Sequence, residues 1–387
     1  MKRAQNIVLP VVAGIGLLAG GLYSQLIQNK NQENAENAQT TAAIPAEGVT
    51  TDAFSLRLFQ QMLQEQKGNV LAAPRVISET LRELSQLAGG VSKAELDALK
   101  LASNAVYANP AVVFDYLIAL DINTKRNNDD RSILSLPFSE NTPLALSIFN
   151  GTLAQSAPSR DAQFATSDMV NNRTKLLAGA IAYGRCNWEI PFLKADSRLT
   201  EFDSQSGAMP HHPQMRSRGN YRTAKAEDGA WKAVALPIKS SCQVLIGILP
   251  SVPARQFAEA LTPEQLSGIR QALAEAQPTD TLVEFPRLEL EVRPYDMRYT
   301  LRRLGLSSLF DTEKADFSGA SSEHTHLSAV VHASGVWLVE SPDKAAQATP
   351  DLDYAANVMS FSRPFIWFIA DASSDTPFDF IGLVEEL

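Results

Sequence analysis

Cysteine and histidine are scarce in this chain of 387 residues, with two and five copies respectively. Cys186 and Cys242 fit no zinc or redox spacing. Two readings of them stand: one disulfide in an oxidising compartment, or two buried thiols. His211 and His212, next to Pro210 and Pro213, read as a solvated loop. His324 and His326, beside Glu323, could hold a metal if both imidazoles shared one strand face. Their stretch, SSEHTH, is polar and reads instead as a loop, so neither a metal nor a cofactor is expected. His332 sits in AVVHASGVWLV and reads as a core histidine. No Gly-x-Ser-x-Gly, Walker loop, dinucleotide fingerprint or His-Glu-x-x-His occurs, so the expectation is that the chain is not an enzyme. The net charge of −9 is spread without a basic patch, which argues against nucleic-acid binding.

The chain does carry 45% hydrophobic residues, enough for a large core. Lys2 and Arg3 precede an uncharged run from Ile7 to Tyr23, a pattern that sends the following chain across a membrane. Such a run is about 25 Å long as a helix at 1.5 Å per residue. That is a little short for a hydrocarbon core of about 30 Å and a little long for a signal-peptide core. An uncleaved anchor over residues 1–24 is the favoured reading, facing a periplasm or the exterior. Cleavage with secretion is the alternative. Residues 25–50, rich in Gln, Asn, Glu, Ala and Thr, read as a flexible linker. The folded domain is then residues 51–387.

Within that domain, Asp52 is placed to cap a helix carrying Phe54, Leu58 and Met62 on one face. Leu81, Leu84 and Leu87 mark a second helix, and Ser92 with Glu95 suggests a capping box for a third. Residues 231–238 and 244–249 read as neighbouring strands. Thr262-Pro263 starts a helix with proline at its first position. Leu288, Leu290 and Val292 alternate on one strand face. Met297, Leu301 and Leu304 follow helical spacing up to Gly305. Two apolar strands, 364–370 and 378–384, close the chain. Helices come first and antiparallel strands later, which predicts an α+β fold.

The order of several segments resembles the serpin family of serine protease inhibitors, in a divergent, bacterial-type form. They are Gly68-Asn69-Val70 with Pro74, Trp188-Glu-Ile-Pro-Phe192, then Phe202, Gly207 and Met215. FPRLELEVRPYDMRYTLRRLGLSSLFDTEKADFSGAS and VVHASGVWLVE follow, then Ser362-Arg-Pro-Phe and Phe380-Ile-Gly382. The resemblance implies N-terminal helices packed on a large mixed main sheet, smaller antiparallel sheets, and an exposed reactive loop near the C-terminus. It implies a monomer that traps a serine protease. The protease cleaves the loop, and the loop's N-terminal arm then inserts into the main sheet as a new strand.

Aligned on His332, the resemblance places the hinge at Glu340, Pro342, Asp343, Ala345, Ala346 and Ala348. Pro342 and Asp343 replace the family's Gly-Thr pair. Proline cannot donate to a central ladder, and a carboxylate there would be buried unpaired. The reactive bond falls in the window Asp353, Tyr354, Ala355, Ala356 and Asn357. Tyr354 suits a chymotrypsin-like pocket; Ala355 and Ala356 suit an elastase-like one. The sheet-opening region maps to Trp188, His332, Ala180, Ala73 and Val76. Ala180 stands where the family's asparagine pairs with the histidine, so apolar packing replaces a polar latch. Two functions therefore stand open: inhibitor, or non-inhibitory binding, scaffold or decoy-substrate protein.

Overall fold

The computed structural model describes residues 53–101, 112–124, 133–207, 210–239, 241, 243–342, 351–371 and 378–387. Helix α1, Ala53–Glu65, buries Phe54, Leu58 and Met62 on one face, as their spacing requires. Asp52, its expected cap, lies outside the described residues. Helix α2, Pro74–Leu87, starts with proline at its first position and buries Leu81, Leu84 and Leu87. Helix α3, Gly90–Ala98, is capped differently from expectation, because its N-cap is Gly89 and no side chain caps it. Ser92 and Glu95 are used elsewhere. Ser92 Oγ accepts the Asp316 N–H at 3.0 Å, and Glu95 accepts both the Ser308 N–H and hydroxyl at 2.8 and 2.7 Å. Tertiary partners thus claim both ends of the expected box.

Five strands form a mixed sheet in the order β10-β11-β4-β2-β3: Leu288–Asp296, Leu327–Leu338, Leu176–Arg185, Val112–Asp121 and Ile133–Leu136. The pair β11–β4 is parallel, whereas β10–β11 and β4–β2 are antiparallel. Helix α4, Thr142–Leu153, covers one face. Phe149 and Leu153 pack there with Leu177, Ile181 and Val331. Gly179 permits that approach, since a Cβ on it would lie 2.6 Å from Leu153 Cδ1. The opposite face of the sheet, with Ala178, Ala180 and Ala182, meets the main core under α1 and α2.

The antiparallel strands β1 (Val70–Ala72), β14 (Phe380–Val384), β13 (Phe365–Asp371), β8 (Gln243–Pro250) and β7 (Trp231–Pro237) form one group. A second comprises β5 (Arg198–Glu201), β6 (His211–Lys225), β9 (Thr279–Pro286) and β12 (Asn357–Ser360). The long β6 joins the two groups. The architecture is the expected α+β arrangement. His211 and His212 correct the loop reading: they open β6, and the His212 ring bonds the Arg287 carbonyl oxygen at 2.6 Å. Helix α5 (Ala254–Ala260) precedes α6 (Pro263–Glu275), whose cap is the reciprocal pair Thr262 and Gln265 at 3.2 and 2.9 Å. Helix α7, Arg298–Arg303, stops before Gly305 at φ +101°.

The expectation of membrane attachment is corrected. Among the described residues no helix is long and apolar enough to cross a membrane. A membrane partner, a signal anchor and an envelope or periplasmic location are therefore not carried forward. The segment on which that reading rested, residues 7–23, and the expected linker at 25–50 lie outside the described residues.

One buried carboxyl invites a stability test. Asp115 on β2 accepts a 2.6 Å hydrogen bond from Ser156 Oγ, while its Oδ1 has no partner among the described residues. Burial pushes it up to about 6, with Ser156 partly opposing. The folded value is raised, so the charge penalty is fully present above pH 6 and fades as pH falls towards the unfolded value near 3.8. Asp115→Asn keeps the Ser156 bond and removes the charge. It should stabilise the domain by about 3 kcal/mol at pH 7 and by much less at pH 4. Denaturant melts at both values check this, and an equal effect at the two would refute it.

Candidate functional site: hinge, seam and exposed loop

Trp188 lies just beyond the end of β4 and pairs with Ile238 in an isolated bridge. Its indole N–H donates to the Val339 carbonyl at 2.8 Å, and its ring meets Phe192 edge-on with centroids 5.2 Å apart. The end of β11 is therefore held by an aromatic side chain with a buried polar tip, an arrangement that satisfies the indole donor. Two residues on, the Ser341 N–H donates to the Phe192 carbonyl at 2.8 Å. The Glu340 carboxylate accepts from Ser197 Oγ at 3.0 Å and stands 3.8 Å from an Arg287 guanidinium nitrogen. Ser341 is buried and Pro342 exposed. The expected hinge residues Asp343, Ala345, Ala346 and Ala348 lie outside the described residues.

The seam between β11 and β4 is closed. Its parallel register runs from Leu327↔Leu176, past an irregularity, to Trp337↔Arg185. His332 stands directly beside Ala180, and its Nδ1 lies 2.9 Å from the Ala180 carbonyl oxygen. A carbonyl only accepts, so Nδ1 carries the proton and Nε2 a bare lone pair. Nε2 is buried without a partner among the described residues. The Tyr295 ring packs edge-on to the imidazole at 6.0 Å. Burial pushes His332 down to about 4, with the Ala180 bond opposing slightly. Ala180, Ala73 and Val76 are all fully buried in the main core. The fold thus brings His332 and Ala180 together and uses backbone where the sequence comparison looked for a side chain.

Sequence reasoning missed a second feature of the seam. Tyr183 of β4 stacks on Trp337 of β11 at 6.3 Å, crossing over Gly335. A Cβ at Gly335 would lie 2.9 Å from the Tyr183 ring. No linear motif announces such a pair.

After the hinge, the chain reaches a short 3-10 turn, Leu352–Tyr354, and then β12, which pairs parallel with β9. Tyr354 is 78% exposed. Ala355 is half-buried, Ala356 and Asn357 are exposed, and the Asp353 side chain lies outside what is described. Two groups hold this stretch, Arg218 on β6 and Asp280 on β9. Arg218 grips Asp280 through Nε and Nη2, with bonds of 2.8 and 2.6 Å, and its third guanidinium nitrogen, Nη1, donates to the Asp351 carbonyl. Asp280 Oδ2 also accepts the Ala356 N–H at 3.3 Å, and the Asp280 carbonyl accepts from Asn357 Nδ2 at 3.3 Å.

His324 donates to, and is held by, the Thr312 carbonyl at 2.7 Å, and no cluster of three metal-ligating side chains occurs among the described residues. Cys186 is a buried free thiol, pushed well up by burial; Cys242 lies outside the described residues.

A mixed sheet with a closed parallel seam, together with an exposed turn at residues 352–354 that leads into β12 at the edge of a second sheet, defines the class of fold. The family model described as serpin (serine protease inhibitor) matches residues 122–386. This chain belongs to the serpin family, a family of inhibitors rather than enzymes. It is similar to human Serpin B3, 29% identical over 208 residues, covering 51% of this chain and 52% of that protein. It is also similar to human leukocyte elastase inhibitor, 29% identical over 225 residues, covering 54% and 58%. The chain spans about half the length of the curated relatives it matches. The structure of a Manduca sexta serine protease inhibitor, serpin-12, superposes with a TM-score of 0.74 at 21% identity, covering 88% of this chain and 98% of that one. These matches support the family and point to no bacterial branch of it.

Proposed function

We propose that this chain inhibits a serine-type endopeptidase by offering residues 353–357 as cleavable bait and then inserting the freed arm between β11 and β4. The parallel pairing of those two strands carries the reading. The loop leaves β11 at the end of the seam, so a segment folding back would run antiparallel to both neighbours. One parallel ladder would become two antiparallel ones, and antiparallel pairing is the more stable per residue. Length permits it only after a cut. An arm from Ser341 to Tyr354 spans about 46 Å extended, whereas β4 has 10 residues and spans about 33 Å. Before cleavage β12 holds the other end of the loop against β9.

In the bond-making step the protease serine oxygen would join the Tyr354 carbonyl carbon. The Tyr354–Ala355 C–N bond would break, and the serine proton would leave on the new Ala355 amine. Insertion would then carry the ester-linked protease along the sheet before water completes hydrolysis. The short 3-10 turn, with its poor hydrogen-bond geometry, opens cheaply into an extended substrate strand.

A second reading is favoured by Pro342 and the neighbouring Asp343: the loop is cut, but insertion is too slow to trap the protease, leaving a decoy substrate or binding scaffold. Incubation with chymotrypsin-type and elastase-type proteases, followed by a denaturing gel, separates the two. Inhibition gives a denaturant-stable complex, and cleavage raises the thermal midpoint by many degrees. Cut chain with free, active protease and an unchanged midpoint would sink the inhibitory reading.

A further inference from the structure

We infer that the Arg218–Asp280 ion pair is the positioning element of the bait, and that it makes Tyr354 the specificity-determining side chain, offered to a protease whose pocket takes an aromatic ring. The inference rests on the reading of this loop as bait, and adds the class of protease and the device that presents the loop to it.

The argument begins with the two strands. β6 and β9 pair antiparallel along eight register positions, from Gln214↔Pro286 to Tyr221↔Thr279, so Arg218 and Asp280 stand on a rigid platform. Their grip is bidentate, which fixes orientation as well as distance. Both groups remain partly solvated, with side chains 16% and 37% exposed. A pair of this kind contributes little to global stability. Its geometric consequence is larger. Arg218 pins the backbone at Asp351, and Asp280 pins it at Ala356. Residues 352–355 therefore bow outward between two fixed points.

Within that bow the side chains are unequal. Leu352 and Ala355 are half-buried, whereas Tyr354 is exposed. Ala356 cannot enter a protease cleft as the recognition residue without giving up its bond to Asp280. Tyr354 is the one large aromatic group offered, and an aromatic ring supplies much contact area with little rotamer entropy to lose. Pinning the backbone beside it lowers the ordering cost of docking.

The test uses the full chain with a chymotrypsin-type and an elastase-type protease, reading the cut site by mass spectrometry alongside kcat and KM. The parent chain should be cut once, after Tyr354, and about tenfold more efficiently by the chymotrypsin-type enzyme. Tyr354→Ala should abolish that preference. Arg218→Gln and Asp280→Asn should each scatter cutting over residues 351–357. They should raise KM about fivefold at the main site with kcat little changed, since pre-organisation acts on binding. Arg218→Lys should partly restore the single site. Thermal midpoints near the parent's confirm folding, and a variant that melts early is replaced by Arg218→Lys as the comparison. A parent cut mainly at any bond other than the one after Tyr354, or an Arg218→Gln chain cut once after Tyr354 at the parent's KM, overturns the inference. The readout is cleavage, not trapping. Clean cutting at Tyr354 without a stable complex would sink only the inhibitory reading, and trapping with scattered cuts indifferent to Arg218 would sink only this one.

Discussion

Lowering the pH from 7 to 4 should cost the folded domain about 3 kcal/mol through His332 alone. The imidazole is buried beside the seam, bonded to the Ala180 carbonyl through Nδ1, with burial pushing it down to about 4 from an ordinary value of 6.5. The folded value is depressed. In the unfolded chain the histidine takes a proton near pH 6.5, whereas the folded chain resists it until about pH 4. Between those values the unfolded state binds more protons, so stability is complete above the upper one and falls as pH drops towards the lower. Asp115 works in the opposite sense over an overlapping range, because its folded value is raised to about 6. Total stability against pH therefore hides both effects, and only difference curves expose them. The informative variant is His332→Asn, whose side-chain amide nitrogen can replace Nδ1 as donor to Ala180 and does not titrate. Denaturant melts from pH 7 to 4 should show the parent losing about 3 kcal/mol more than this variant. Parallel curves would mean that the imidazole is not held neutral in the folded state.

Replacing the hinge pair, Pro342→Gly with Asp343→Thr, should speed strand insertion at least tenfold and raise the fraction of protease trapped. Pro342 follows Ser341, the last residue tied to Phe192, so it is the first group an inserting arm must lay down. It brings no N–H to the ladder. A carboxylate buried next to it without a partner costs several kcal/mol. Each 1.4 kcal/mol that reaches the transition state slows insertion about tenfold, while deacylation of the trapped protease proceeds at its own rate. The double variant should shift the outcome on a denaturing gel from cut chain towards complex, and raise the thermal midpoint after cleavage further than in the parent. Single variants divide the effect, with Asp343→Thr expected to carry more of it. An unaltered gel together with an unaltered melt would show that the hinge is not what limits insertion.

The local elements were legible because short-range rules decide them. Phe54, Leu58 and Met62 share a helix face, Thr262-Pro263 starts α6 with proline at its first position, and Gly305 ends α7 in a conformation side chains rarely adopt. The ordered segments around Trp188, Phe285, His332 and Pro364 likewise identified the family before any contact was known, since each is a run of adjacent residues. Ser92 and Glu95 show where this fails: the same spacing that suits a capping box also suits two partners more than 200 residues away, and the fold chose Ser308 and Asp316. His211 and His212 read as loop because their prolines suggested it, yet β5 pairs with that stretch, Thr200 with His212 and Glu201 with His211, and draws it into β6.

The sequence by itself determined the family, and the proposed bait window and hinge pair also come from it, because these readings depend on residue identity at successive positions. Only the tertiary structure decided that the β11–β4 seam is closed, that His332 bonds the Ala180 backbone, and that Tyr183 lies over Gly335. It alone brought Arg218 and Asp280 beneath the loop, from strands 62 residues apart in sequence. Pairing register and backbone carbonyls have no signature in a linear pattern, since they follow from which strands become neighbours once the core has closed.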